Sequence, residues 1–121
     1  MSDADSATDG DCLFCKIVAG DVPAEVVHES DRTVAFRDVN PQAPTHILVI
    51  PRRHEPDIGS LTAAAPLEAA ALLGDARDVA AAEGAGGNYR LVFNTGADAN
   101  QVIFHCHAHV LAGRTFTWPP G

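Results

Sequence analysis

The sequence predicts an α+β fold: an antiparallel sheet of about five strands with one long helix and one short one. Three observations predict it. Apolar residues fall in short, strand-length runs separated by turn-forming Pro, Gly and Asp. A single Ala- and Leu-rich stretch is long enough to cover such a sheet. The size, 121 residues at 46% hydrophobic and 20% charged, suits one core that buries roughly two-thirds of the unfolded surface.

In chain order, residues 1–11 carry Asp3, Asp5, Asp9 and Asp11 and few apolar side chains, and are expected to form a disordered acidic tail ahead of one domain at 12–121. Residues 12–20 have apolar positions at helical spacing and end on Gly20, a short helix. Residues 25–29 and 32–36 flank Ser30 and Asp31 as a β-hairpin. Pro41 and Pro44 stiffen the following loop, and residues 45–50 form a strand stopped by Pro51. Residues 61–83, free of β-branched runs, read as the long helix. Pro66 lies in or just before its first turn, and Gly84, Gly86 and Gly87 end it. Residues 89–93 form a strand, 94–101 a polar loop and 102–111 the last strand. Residues 114–121 are a tail in which Pro119 and Pro120 forbid regular structure.

Charge and cysteine content narrow the function. Eight Lys and Arg against sixteen Asp and Glu leave a net charge of −8, which argues against a nucleic-acid binder. No apolar run approaches the ~20 residues of a membrane-spanning helix. The first residues have neither a basic flank nor an apolar segment, so a cytoplasmic protein is expected. Three cysteines, Cys12, Cys15 and Cys106, are a poor disulfide framework. The Cys12-x-x-Cys15 spacing points to metal ligation or thiol chemistry in a reducing compartment.

The chemistry concentrates at residues 104–111. On a strand, His105, His107 and His109 share one face while Cys106, Ala108 and Val110 take the other. The outer two imidazoles then start about 13 Å apart, too far for one metal to collect all three from a straight strand. The bland alternative is a set of satisfied core histidines, an odd use for three of the six histidines in the chain.

His105-Cys106-His107-Ala108-His109-Val110-Leu111 resembles the signature of the histidine triad family of nucleotide hydrolases and transferases, in which three histidines alternate with apolar residues. Residues 36–46 and the run from Ile47 to Pro51 resemble the loop and strand that the family places beneath the nucleotide. Residues 114–121, ending Trp118-Pro119-Pro120-Gly121, resemble the C-terminus of the Hint branch, so the likeness runs from about Cys12 to Gly121.

The resemblance implies a division of labour. His107 would attack the α-phosphorus of a nucleoside phosphoramidate or related ester and carry the nucleotide. His109 would protonate the departing amine as an imidazolium, with His46 orienting it. Asn94 and Gln101 would bind the phosphate, and Val102, standing where a hydroxyl is common, would offer its backbone N–H. Asn100 stands where glycine is common. Asp38 would bind the ribose hydroxyls, and Phe14, Ile17, Phe36 and Val39 would form the slot for a purine base. Cys12, Cys15, His54 and His105 make a Cys2His2 set for one structural zinc; the alternative is a pair of reduced thiols packed in a helix. The family likeness also implies a homodimer, with Trp118 reaching toward the partner's active site.

The implied activity is a purine nucleoside phosphoramidase releasing AMP or GMP. Three other readings remain open: a dinucleoside polyphosphate hydrolase, a zinc hydrolase using His105 and His107 on a catalytic metal, and a nucleotide-binding regulatory module with little turnover.

Overall fold

The computed structural model describes residues 11–121, so the expected acidic tail lies, apart from Asp11, outside the described residues. In chain order the elements are α1 (Leu13–Val18), β1 (Val26–Glu29), β2 (Thr33–Arg37), β3 (Thr45–Pro51), α2 (Ile58–Ala64), α3 (Pro66–Ala82), β4 (Arg90–Val92) and β5 (Ala108–Ala112). The five strands form one antiparallel sheet in the order β1-β2-β3-β5-β4. No helix among the described residues is long and apolar enough to cross a membrane.

The two-residue period of β3 divides the core. Ile47 and Val49 point to one face, where they pack with Leu61 of α2 and with Ala69, Leu72, Ala76, Val79 and Ala80 of α3. Those α3 positions follow the helical spacing of a single face, and alanine lets the helix lie close to the sheet. Leu48 and Ile50 point the other way, to Cys12, Phe14, Val34 and Phe36. This second, smaller core carries the functional residues.

Two elements depart from expectation. The single helix expected over 61–83 is divided in two, because Ala65 has φ −150° and ψ 73° and Pro66 opens α3 without a side-chain cap. A residue before proline is pushed out of the α region by the proline Cδ, so the break falls there. Asp57 caps α2, which begins at Ile58, three residues earlier than expected, its Oδ1 accepting the Ser60 N–H at 2.7 Å. The last strand begins at Ala108, not at residue 102. Upstream of it the backbone leaves the ladder, and the Cys106 N–H donates to the Glu55 carbonyl at 2.7 Å.

Candidate active site and metal centre

Alternation along β3 puts His46 on the face of Leu48, and alternation along β5 puts His109 opposite to the core residues Ala108 and Val110. The register pairs Leu48 with His109 and His46 with Leu111, so the two histidines are diagonal neighbours across the β3–β5 ladder. His46 Nε2 lies 2.9 Å from His109 Nδ1. The His107 ring stands 4.9 Å from that of His109, centroid to centroid, and Phe14 meets His107 edge-on at 5.2 Å.

Fixed acceptors and donors set the tautomers. The Gln42 N–H donates to His46 Nδ1 at 3.0 Å, so the proton of His46 sits on Nε2 and is given to His109 Nδ1. His109 therefore keeps its own proton on Nε2. His107 donates from Nδ1 to the His105 carbonyl at 2.8 Å, which leaves Nε2 as its unprotonated nitrogen. Burial depresses the pKa of all three rings. It is the main cause at His46 and His107, opposed at both by the Asp38 carboxylate and at His107 also by the bond to the His105 carbonyl. At His109, burial followed by the neighbouring His107 and His46 brings the pKa down to about 4. The unliganded site holds neutral imidazoles near pH 7, so His109 is not an imidazolium before substrate arrives.

Two clefts meet at His109. One, of about 450 Å³, is lined by Phe14, Ile17, Phe36, Leu48, Ile103 and His107, with Asp38 and the exposed Val39 and Val102. The other, of about 400 Å³, contains His46, Asn94 and Asn100. Asn100 has φ 68°, a left-handed conformation that asparagine tolerates, which accounts for its standing in a glycine position.

A second cluster lies beneath the first. Cys12, Cys15, His54 and His105 each bring one ligand atom to within 4.8 Å of the others. His105 Nδ1 is 3.4 Å from Cys12 Sγ, 3.4 Å from Cys15 Sγ and 3.2 Å from His54 Nδ1, and Cys15 Sγ is 3.3 Å from His54 Nδ1. A zinc tetrahedron with Zn–S about 2.3 Å and Zn–N about 2.0 Å spaces its corners about 3.3–3.8 Å apart. The set therefore fits that ion closely in size as well as in chemistry. His105 supports it further, because its Nε2–H donates to the Pro51 carbonyl at 2.8 Å and so leaves Nδ1 deprotonated and aimed at the cluster. His107 stands outside the four, its Nδ1 taken by the His105 carbonyl.

Residues 19–116 match the family model described as HIT domain. The chain belongs to the HIT family. A HIT-like protein of Synechocystis is 50% identical over 115 residues, spanning 92% of this chain and 97% of that one. A maize protein described as a 14 kDa zinc-binding protein is 42% identical over 119 residues, spanning 93% and 90%. Among solved structures, a HIT family hydrolase from Legionella pneumophila superposes with a TM-score of 0.85 at 47% identity, covering 91% of this chain and 99% of that one. A histidine triad nucleotide-binding protein from Candida albicans gives 0.77 at 26% identity, covering 89% and 82%.

Within this HIT fold the expected residues divide by place. Phe14, Ile17, Phe36, Asp38, Val39, Val102, His107 and His109 line one cleft, and Asn94 lines the other. Gln101 lies in neither. It is buried, its Nε2 donating to the Pro56 and Ile103 carbonyls and its Oε1 accepting the Gly96 N–H, so its amide braces the 94–101 loop from within. Trp118 is 83% exposed. Leu48 and Ile103 were missed by sequence reasoning, although the alternation that placed His46 also places Leu48 on its face.

Proposed function

We propose that this HIT protein is a purine nucleoside phosphoramidase that works through a nucleotide carried on His107. The observation that carries the reading is the tautomer of His107, a residue that lines the cleft with aromatic and aliphatic side chains: Nδ1–H is fixed on the His105 carbonyl, so the lone pair sits on Nε2. The base would lie against Phe14, Ile17 and Phe36, with Val39 and Val102 closing the rim. Asp38 would take the ribose hydroxyls.

In the first step a bond forms from His107 Nε2 to the α-phosphorus while the bond from phosphorus to the leaving nitrogen breaks. The α-phosphate brings the negative charge that makes a proton on His109 favourable, and His109 passes that proton to the leaving amine. In the second step water attacks the nucleotidyl-His107, gives its proton to His109, and releases the nucleoside monophosphate. Asn94 and backbone N–H groups of the 94–101 loop would hold the phosphate oxygens, with Gln101 positioning that loop.

Cys12, Cys15, His54 and His105 would hold one zinc ion. With all four positions filled by protein, such a zinc supplies cross-linking, not chemistry. Bound there, it would tie α1 and the residues after β3 to His105, two residues before the nucleophile. The maize relative described as zinc-binding supports this reading. We also infer a homodimeric, cytoplasmic protein with a single domain at residues 12–121.

The deciding experiment is mass spectrometry of protein quenched during turnover of adenosine 5′-phosphoramidate. An AMP adduct on the peptide containing His107 is expected. Turnover without any adduct in rapid-quench samples would favour direct attack by water and remove the covalent route.

A further inference from the structure

The cleft on the far side of His109 has an electrostatic feature that the histidines do not explain. Arg90 and Arg114 both line it, together with Phe116. Each of the other arginines, Arg32, Arg37, Arg52, Arg53 and Arg77, has a carboxylate within 4.0 Å; among the described residues Arg90 and Arg114 do not. This holds in a chain where acids outnumber bases two to one.

Both guanidinium groups lie over the same ring, Arg114 Cζ at 4.2 Å and Arg90 Cζ at 5.0 Å from the Phe116 centroid. Backbone carbonyls hold them there. Arg114 Nε donates to Gln42 O at 3.0 Å and its Nη1 to Thr115 O at 3.2 Å, and Arg90 Nη2 donates to Thr117 O at 2.9 Å. A guanidinium has five N–H donors, so Arg90 keeps four and Arg114 three that these bonds do not use. Two like charges fixed beside one ring repel each other unless an anion lies between them. Around them the cleft is lined by Gln42, Asn94 and Asn100, all neutral, by the depressed His46 and His109, and by Gly121 at the end of the sequence, whose carboxylate makes no ion pair within 4.0 Å with either guanidinium.

We propose that this cleft is a leaving-group subsite that selects leaving amines bearing an anionic head, a carboxylate or a phosphate, bound by Arg90 and Arg114. The proposal rests on the phosphoramidase reading above. With the nucleoside in the Phe14 cleft and the phosphorus at His107, the group that departs past His109 enters the cleft that the two arginines line. Paired guanidinium donors suit either anion, because both present several oxygens in one plane or face.

The test compares adenosine 5′-phosphoramidates that differ only in the charge of the leaving amine. β-Alanine is set against its methyl ester for the carboxylate, and O-phosphoethanolamine against ethanolamine for the phosphate. The unsubstituted phosphoramidate is the control for the underlying chemistry. In the wild-type protein kcat/KM should favour at least one anionic member over its neutral counterpart by about tenfold at low salt. That preference should shrink as ionic strength rises, and should fall to about twofold or less in Arg114→Gln and in Arg90→Gln. Partial return of the preference in Arg114→Lys would mark the charge as the cause. Equal or lower kcat/KM for both anionic members in the wild-type protein overturns the subsite, and so does a preference that survives both glutamine variants. If either variant fails to fold, the wild-type ratios and their salt dependence decide alone. No turnover of the unsubstituted phosphoramidate would instead count against the phosphoramidase reading itself.

Discussion

His46 Nε2 stands 2.9 Å from His109 Nδ1, and His46 Nδ1 already accepts the Gln42 N–H. Every inner nitrogen of the pair is therefore occupied: one accepts from the backbone, one donates, one accepts in turn. An additional proton has to displace a hydrogen bond, as well as enter a buried site beside His107. Burial is the main cause that brings the His109 pKa down to about 4, followed by the neighbouring His107 and His46. A phosphate dianion or monoanion placed against the outer Nε2 reverses the balance, because an opposite charge favours the protonated ring.

Nucleotide binding should therefore raise the pKa of His109. NMR titration of the imidazole nitrogens should give a midpoint near 4 in the free protein and a clearly higher one with AMP bound. A midpoint that does not move would leave His109 without a route to the proton it is assigned to deliver.

The same depressed pKa has a consequence for stability. A group whose folded pKa lies below its unfolded value of about 6.5 contributes stability that is present above that pH and lost as pH falls toward the folded value. For His109 the window is from about 6.5 down to about 4, with a slope of up to about 1.4 kcal/mol per pH unit for one proton. Thermal melts from pH 7 to pH 5 should show a falling Tm, and His109→Asn should flatten that fall. A parallel slope in the variant would assign the acid sensitivity elsewhere.

Substitutions should separate the nucleophile from its helpers. His107→Ala is expected to lower kcat/KM on adenosine 5′-phosphoramidate by at least about 10⁴-fold, since nothing else can form the intermediate. His109→Ala should lose about 10²–10⁴-fold on poorly leaving amines and much less on good leaving groups. His46→Ala should resemble a weaker His109→Ala, because it touches the reaction only through that ring. Near-wild-type turnover by His107→Ala would discard the mechanism.

Binding zinc to Cys12, Cys15, His54 and His105 brings segments more than 90 residues apart in sequence to one point, so metal affinity becomes folding free energy. Protein purified without chelator should contain about one zinc per chain, and its removal should lower Tm on the order of 10 °C. Cys15→Ser should do the same. Metal-free protein with an unchanged melt would mean that the cluster is held by thiol and imidazole hydrogen bonds alone.

The five strands along the chain and the short first helix were legible because each rests on local apolar periodicity bounded by turn residues. The single helix over residues 61–83 was not. Composition alone cannot weigh the steric block that Pro66 imposes on Ala65 against an otherwise unbroken Ala-rich run. The triad strand failed for a related reason. Alternation of His105, His107 and His109 satisfies a strand pattern, yet only His109 lies in β5, and the three rings diverge because His105 turns to the cysteines while His107 folds back on the His105 carbonyl. Gln101 was given to the phosphate by the family resemblance, and nothing in the sequence reveals that its amide is taken by Pro56, Ile103 and Gly96.

Trp118 is 83% exposed, and on α3 so are Leu67 at 70% and Leu73 at 47%. In the homodimer proposed above, these side chains would be covered by the partner. Trp118 follows Thr117, whose carbonyl accepts from Arg90, a residue lining the His109 cleft. In the proposed dimer it would reach toward the partner's active site and pack beside a departing group rather than hold the fold. Trp118→Ala should accordingly keep Tm and dimer mass while changing the kcat/KM ratio between aromatic and alkyl leaving amines by about 2–10-fold, the scale of one aromatic contact. Light scattering and paired substrate assays check both halves. A fully active monomer would remove the dimer and this role for Trp118 together, whereas a dimer with an unchanged ratio would confine Trp118 to the interface.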